Sequence, residues 1–198
     1  GMPLVEPRPF LDLVLAPAQR IDLIVDVTGP VAFDMNSRQG PYRLADLTVD
    51  GANTSRQSSP IMALLPYDLP IPNEPTQRLT LTMMGGAMSR RHGGDNIWAF
   101  NNVSDLPTGP FGSFKRGETV QMTMVNDTKF AHGIHLHGHH FFEVNSDGIL
   151  GDLRDTTLVD AGKSRDIICV FDNPGRWLLH CHMLSHAAGG MRTWVNVA

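Results

Sequence analysis

Short runs of β-branched, aromatic and other apolar residues alternate with Gly, Pro, Asn and Asp along this chain. That rhythm predicts short strands joined by tight turns, and an all-β sandwich or barrel. The runs place strands at Phe10–Leu15, Arg20–Val27, Tyr42–Val49, Arg78–Met83, Glu118–Val125, Phe141–Val144, Thr156–Val159, Asp166–Phe171, Arg176–His180 and Arg192–Val197. No long stripe of helical period interrupts them. A short helical turn fits between Met183 and Gly189, where Gly189 and Gly190 supply a stop. Five prolines (Pro60, Pro66, Pro70, Pro72 and Pro75) mark a break, read as a linker over 51–75. Residues 76–198 carry enough strands for a complete sandwich. Residues 1–50 carry only a few, which leave open edges and a half-covered core. They are expected to be the tail of a domain whose beginning is absent; the alternative is that they extend the C-terminal sandwich.

Composition narrows the partners. Hydrophobic residues make up 41% of the 198, enough for a real core, and the net charge is −4. No basic tract stands out, so no nucleic acid is expected. No apolar run approaches the roughly 18 residues that span a membrane. Gly1 ahead of Met2 reads as a cleavage scar. Open strand edges in the first 50 residues favour self-association of the isolated chain.

The chemistry lies near the C-terminus. Six of the nine histidines fall in two stretches, His132-Gly-Ile-His-Leu-His137 and His180-Cys-His-Met-Leu-Ser-His186, with Met191 five residues on. Side chains alternate faces along a strand, so His135 and His137 share a face with Cα atoms roughly 7 Å apart. His132 then points to the opposite face if the strand extends that far. His180 and His182 likewise share a face, and Cys181 points away from both. Each stretch therefore serves two sites on opposite faces. The first is His132, Cys181, His186 and Met191, two imidazoles with a thiolate and a thioether, a set that favours copper. Zinc remains an alternative, although methionine is a poor zinc ligand and structural zinc sites bring more cysteines. The second is His135, His137, His180 and His182, suited to copper, zinc or iron. The backbone from Cys181 to His180 and His182 gives a short through-bond path between the sites. Cys169, in an apolar strand, reads as a core thiol. His139 and His140 read as packing or surface residues, or as groups that orient ligands. His92 falls on a loop and receives no role. Met83, Met84 and Met88 are explained at least as well by packing as by metal handling.

The motifs His-x-x-His-x-His and His-Cys-His-x-x-x-His-x-x-x-x-Met resemble those of the multicopper oxidases. Trp98-Ala-Phe-Asn-Asn102, Arg116-Gly-Glu-Thr-Val120, Asn126-Asp-Thr128, Arg154-Asp-Thr156 and Asp172-Asn-Pro-Gly-Arg-Trp177 resemble segments of that family's last cupredoxin domain. Leu15-Ala-Pro-Ala-Gln-Arg-Ile-Asp-Leu-Ile-Val25 resembles the closing strands of the middle domain. The resemblance implies a cupredoxin-like Greek-key β-sandwich over 76–198, preceded over 1–50 by strands of an incomplete second cupredoxin domain. It implies type 1 copper at His132, Cys181, His186 and Met191, type 2 copper at His135, and the type 3 pair at His137, His180 and His182. It implies oxidation of a phenol, aromatic amine or metal ion at type 1. Electrons then pass through Cys181 and His180 or His182 to a trinuclear cluster that reduces dioxygen to water. It also implies a periplasmic or secreted location.

The chain departs from the family pattern in three places. The family's cluster takes half its eight histidines from two His-x-His motifs of a first domain, and this chain brings four. A missing N-terminal cupredoxin domain is thus the expected partner, and the isolated chain is expected to be inactive. Gly133 stands where proline is usual, which is expected to loosen the backbone. Ser185 and Ala187 stand where several relatives carry an acid. Two other functions stay open: a stand-alone blue-copper electron carrier, and a copper-binding fragment without turnover. The second histidine site argues against the carrier.

Overall fold

The computed structural model describes residues 2–4, 7–9, 12–25, 27, 29–37, 39–50, 64–65, 68–86 and 97–198. Gly1, Phe10, Met88, His92 and most of the expected linker lie outside them. The chain forms two compact units, Ile21–Met62 and Gly1–Arg20 together with Ala63–Ala198.

Within the smaller unit, β1 (Val31–Ser37) and β2 (Gly40–Leu47) form an antiparallel hairpin. Gly40 supplies the positive φ at the turn, and Arg43 holds Asp34 and Asp46. The hairpin leaves Met35, Tyr42, Leu44 and Leu47 exposed.

The larger unit is a sandwich. Its strands are β3 (Gln77–Gly85), β4 (Trp98–Phe100), β5 (Gly112–Phe114), β6 (Glu118–Asn126), β7 (His132–Leu136), β8 (Phe141–Val144), β9 (Leu150–Arg154), β10 (Thr156–Val159), β11 (Ser164–Phe171), β12 (Gly175–Cys181) and β13 (Arg192–Val197). One sheet runs β10-β7-β12-β13-β5 and the other β4-β3-β6-β11-β8-β9. The parallel pairs β3–β6 and β13–β5 come from strands that cross between sheets. This is a cupredoxin-like sandwich in which, among the described residues, all regular structure but one short helix, α1 (Leu184–Ala188), is strand.

Period-two burial builds the core. Val120, Met122 and Met124 of β6 face inward with Ile167, Cys169 and Phe171 of β11. Ile134 and Leu136 of β7, Leu179 and Cys181 of β12, and Val195 and Val197 of β13 meet them from the other sheet. Phe114 stacks on Phe171 at 4.1 Å. Each such side chain contributes about 1.5–3 kcal/mol by leaving water. Met83 is one of these core residues. Cys169 is another, and burial holds its thiol protonated.

Two expected strands do not form. Residues 12–25 carry no strand, and Ala16–Gln19 close a tight turn instead, with Gln19 N donating to Ala16 O at 3.0 Å. Apolar alternation states which face seeks burial, but a strand also needs a neighbour to complete its ladder. Gly133 also differs from expectation. A side chain there would meet Ala16 Cβ at 3.3 Å and Pro17 Cδ at 3.5 Å, so the missing Cβ admits the turn rather than loosening β7.

Gly138, directly after His137, sits at φ 72°, and a Cβ there would overlap the Trp177 ring. Gly148 sits at φ 81° with open space around it. Gly138→Ala therefore should cost roughly 2–4 kcal/mol in denaturant unfolding, against about 1 for Gly148→Ala. Equal losses would contradict the packing role of Gly138.

Candidate metal centre

Strands β7 and β12 lie side by side in the five-stranded sheet, with His135 opposite His180 and Ile134 opposite Cys181. This register sorts the histidines. His135 and His180 share one face of the sheet, while Ile134 and Cys181 turn into the core. β7 begins at His132, so His132 also points inward and is fully buried.

Three donor atoms converge inside. Cys181 Sγ lies 3.7 Å from His132 Nδ1 and 3.8 Å from His186 Nδ1, and the two Nδ1 atoms are 3.0 Å apart. All three fall within 4.8 Å of one another. A trigonal set of two imidazole nitrogens and one sulfur at these separations fits a single copper ion. Helix α1 brings His186 back over the site. His186 N donates to Met183 O, Met191 N to His186 O, and Cys181 N to Met191 O. Met191 is fully buried on this same loop, and Gly190 at φ 111° makes the reversal before it.

The surroundings fix the tautomer. His132 Nε2 meets Thr128 Oγ1 at 2.8 Å. The Thr128 hydroxyl donates to Asn126 Oδ1 at 2.7 Å, so it accepts from His132 Nε2–H and leaves Nδ1 free to ligate. Asn126 is itself buried and donates through Nδ2 to the carbonyls of Phe130, Val159 and Asp160. Trp98 packs against both imidazoles, 4.2 Å from His186 and 5.1 Å from His132 between ring centroids.

Burial sets the protonation. Desolvation, helped by His186, lowers His132 to about 3. Desolvation likewise lowers His186. It raises the Cys181 thiol to about 11, against backbone hydrogen bonds from Met183 and Gly133 that lower it.

On the opposite face, His137 Nε2 and His180 Nε2 are 3.0 Å apart. The His135 ring lies 4.6 Å from His137 and 5.7 Å from both His180 and His182. Burial is the largest influence lowering His135, His137 and His180. The structure thus brings His135, His137, His180 and His182 together, and separates them from His132, Cys181 and His186. His139 is buried against Phe171 and Trp177, whereas His140 is exposed. The roles of Trp98, Asn126, Thr128, Asp155 and Thr156 escape motif reading. Their signal is that they stand in the family-like segments quoted above without being ligands.

Thr128→Val removes the acceptor at His132 Nε2 and should weaken copper binding about 10-fold or more, read by competition with a chelator. Binding at neutral pH displaces one proton, from Cys181, and none from His132. Affinity should therefore rise about tenfold per pH unit up to about pH 11 and flatten above it. A slope near zero at neutral pH would mean that the thiolate does not ligate.

Comparison with known proteins agrees with this geometry. The multicopper oxidase family model matches residues 72–198. A solved structure, Lac15 from a marine microbial metagenome, is 51% identical with a TM-score of 0.81, covering 100% of this chain and 47% of that one. The multicopper oxidase MmcO of Mycobacterium tuberculosis is 35% identical over 61% of this chain and 22% of its own length. Copper resistance protein A of Pseudomonas syringae pv. tomato is 31% identical over 66% of this chain and 20% of its own. The chain spans less than half the length of each of these relatives. It belongs to the multicopper oxidase family, whose C-terminal cupredoxin domain it carries with a type 1 copper-like site of His132, Cys181 and His186.

Proposed function

We propose that this chain is the C-terminal part of an oxidase that takes single electrons from a small reducing substrate and delivers them to dioxygen. The observation that carries this reading is the placement of Cys181 on one face of β12 and His180 on the other, opposite His135 of β7. Bound copper supplies the one-electron couple. The chain's own residues supply the geometry around it.

In this reading His132, Cys181, His186 and Met191 hold type 1 copper, His135 type 2, and His137, His180 and His182 the type 3 pair. One covalent path joins the Cys181 thiolate through the backbone to His180 and His182. Both flanking imidazoles are half-buried or better, so the path is short and largely dry. A preceding cupredoxin domain completes the histidine cluster. Exposed apolar groups in the hairpin and in Leu13–Val25 support such a neighbour.

The substrate side is the edge of His186. Phe130 is about half exposed at 49%, with its ring 6.5 Å from His186, and Leu184 on the same helix is exposed. This apolar rim favours a phenol or aromatic amine over a bare metal ion, since an aromatic ring gains by burying area there.

The test has two arms. Cu(II) loading of the chain should give an intense thiolate-to-copper absorption that Cys181→Ser abolishes and His135→Ala retains. Oxygen consumption with a phenolic reductant should appear only when the preceding domain is joined to the chain. Colour without oxygen consumption in the joined protein would favour an electron carrier instead.

A further inference from the structure

The turn before the sandwich reaches the histidine site through a chain of hydrogen bonds. Ala16–Gln19 form a type II turn, with Pro17 second and Ala18 third at φ 73°. That region is unfavourable for alanine, so tertiary contacts must hold it. Two contacts do so. Gln19 Nε2 donates to Thr156 O at 2.7 Å, and Arg20 Nη2 donates to Asp155 Oδ2 at 2.7 Å. Thr156 opens β10 and Asp155 directly precedes it; among the described residues β10 is an edge strand paired to β7 on one side only. The turn caps part of that open edge.

The relay continues inward. Thr156 Oγ1 donates its one proton to Asp155 Oδ1 at 3.0 Å. Its lone pair therefore faces His135 Nδ1, 3.0 Å away. The Asp155 carbonyl lies 2.9 Å from the same nitrogen. Both neighbours of Nδ1 are acceptors, so Nδ1 must carry the proton and Nε2 the lone pair. Burial raises Asp155, but hydrogen bonds from Arg20 and Thr156 outweigh it and keep the carboxylate ionised at neutral pH.

We propose that Arg20 and Gln19 are positioning residues for His135. They hold Asp155 and Thr156 so that both accept from Nδ1, which leaves Nε2 as the ligating atom. The proposal rests on the reading of His135 as a metal ligand. It makes the upstream turn part of the histidine site, and assigns a purpose to the strained Ala18.

The test is the tautomer of His135 in the metal-free, 15N-labelled chain, read by long-range proton–nitrogen correlation above neutral pH. The wild type should show Nδ1–H alone. Arg20→Met and Asp155→Leu should each raise the Nε2–H form about five- to tenfold, as expected for losing one charge-assisted link, while His132 keeps its own pattern. Arg20→Lys should restore part of the effect. An unchanged His135 tautomer in folded Arg20→Met would overturn the proposal. Its side chain is about half exposed at 51%, so this variant keeps the test open if Asp155→Leu fails to fold. Copper uptake separates the two readings. If His135→Ala leaves uptake unchanged at the four-histidine site, the ligand assignment fails while the tautomer relay can still stand. If His135→Ala reduces uptake but the relay variants leave the tautomer alone, the relay fails by itself.

Discussion

The pairing of β7 with β12 is the constraint on which the rest depends. A strand offers its side chains to two faces in strict alternation, so the match of Ile134 with Cys181 settles the match of His135 with His180 one residue away. A slip of one residue would send the thiol out to the histidine face and an imidazole into the core. The buried apolar residues forbid that slip. Leu179 and Cys181 share their inward face with Ile134, Leu136 and Val195, and moving any of them outward would forfeit the burial that holds the sandwich. The core thus enforces the register, and the register separates the type 1 copper-like site from the four-histidine cluster across one peptide unit.

Burial prepares these groups for metal. The His132 ring is enclosed by Thr128, Trp98 and His186, and desolvation keeps it neutral. The thiol of Cys181 stays protonated for the same reason. A soft cation that removes that proton gains a thiolate already placed 3.7 Å from His132 Nδ1 and 3.8 Å from His186 Nδ1, with little reorganisation. On each face one imidazole is held at a ring nitrogen by polar groups behind it: Thr128 behind His132, Asp155 and Thr156 behind His135. The same device therefore serves both faces of the sheet.

Much of this was legible in the sequence, because parity is a property of the chain itself. His135, His137, His180 and His182 could be set on one face and Cys181 on the other before any coordinates, and Phe141–Val144, Thr156–Val159 and Arg192–Val197 fall where alternation put them. What parity could not reach was tertiary. The three-residue strands β4 and β5 are too short to show a period. Residues 12–25 alternate well, yet Ala16–Gln19 close a turn against Gly133 and β10. Gly133 stands at a proline site of the family pattern, and its reason is tertiary: Ala16 and Pro17 pack against it. Thr128 and Asp155 are ordinary polar residues in sequence, and distance alone reveals what they orient.

The central claim is that His132, Cys181 and His186 bind one copper ion as a trigonal set. X-ray absorption at the copper edge, on the chain carrying one equivalent of Cu(II), tests it most directly. The account predicts one short copper–sulfur distance with two imidazole nitrogens, and loss of the sulfur shell in Cys181→Ser. A copper shell of nitrogen and oxygen alone, unchanged by that substitution, would contradict it.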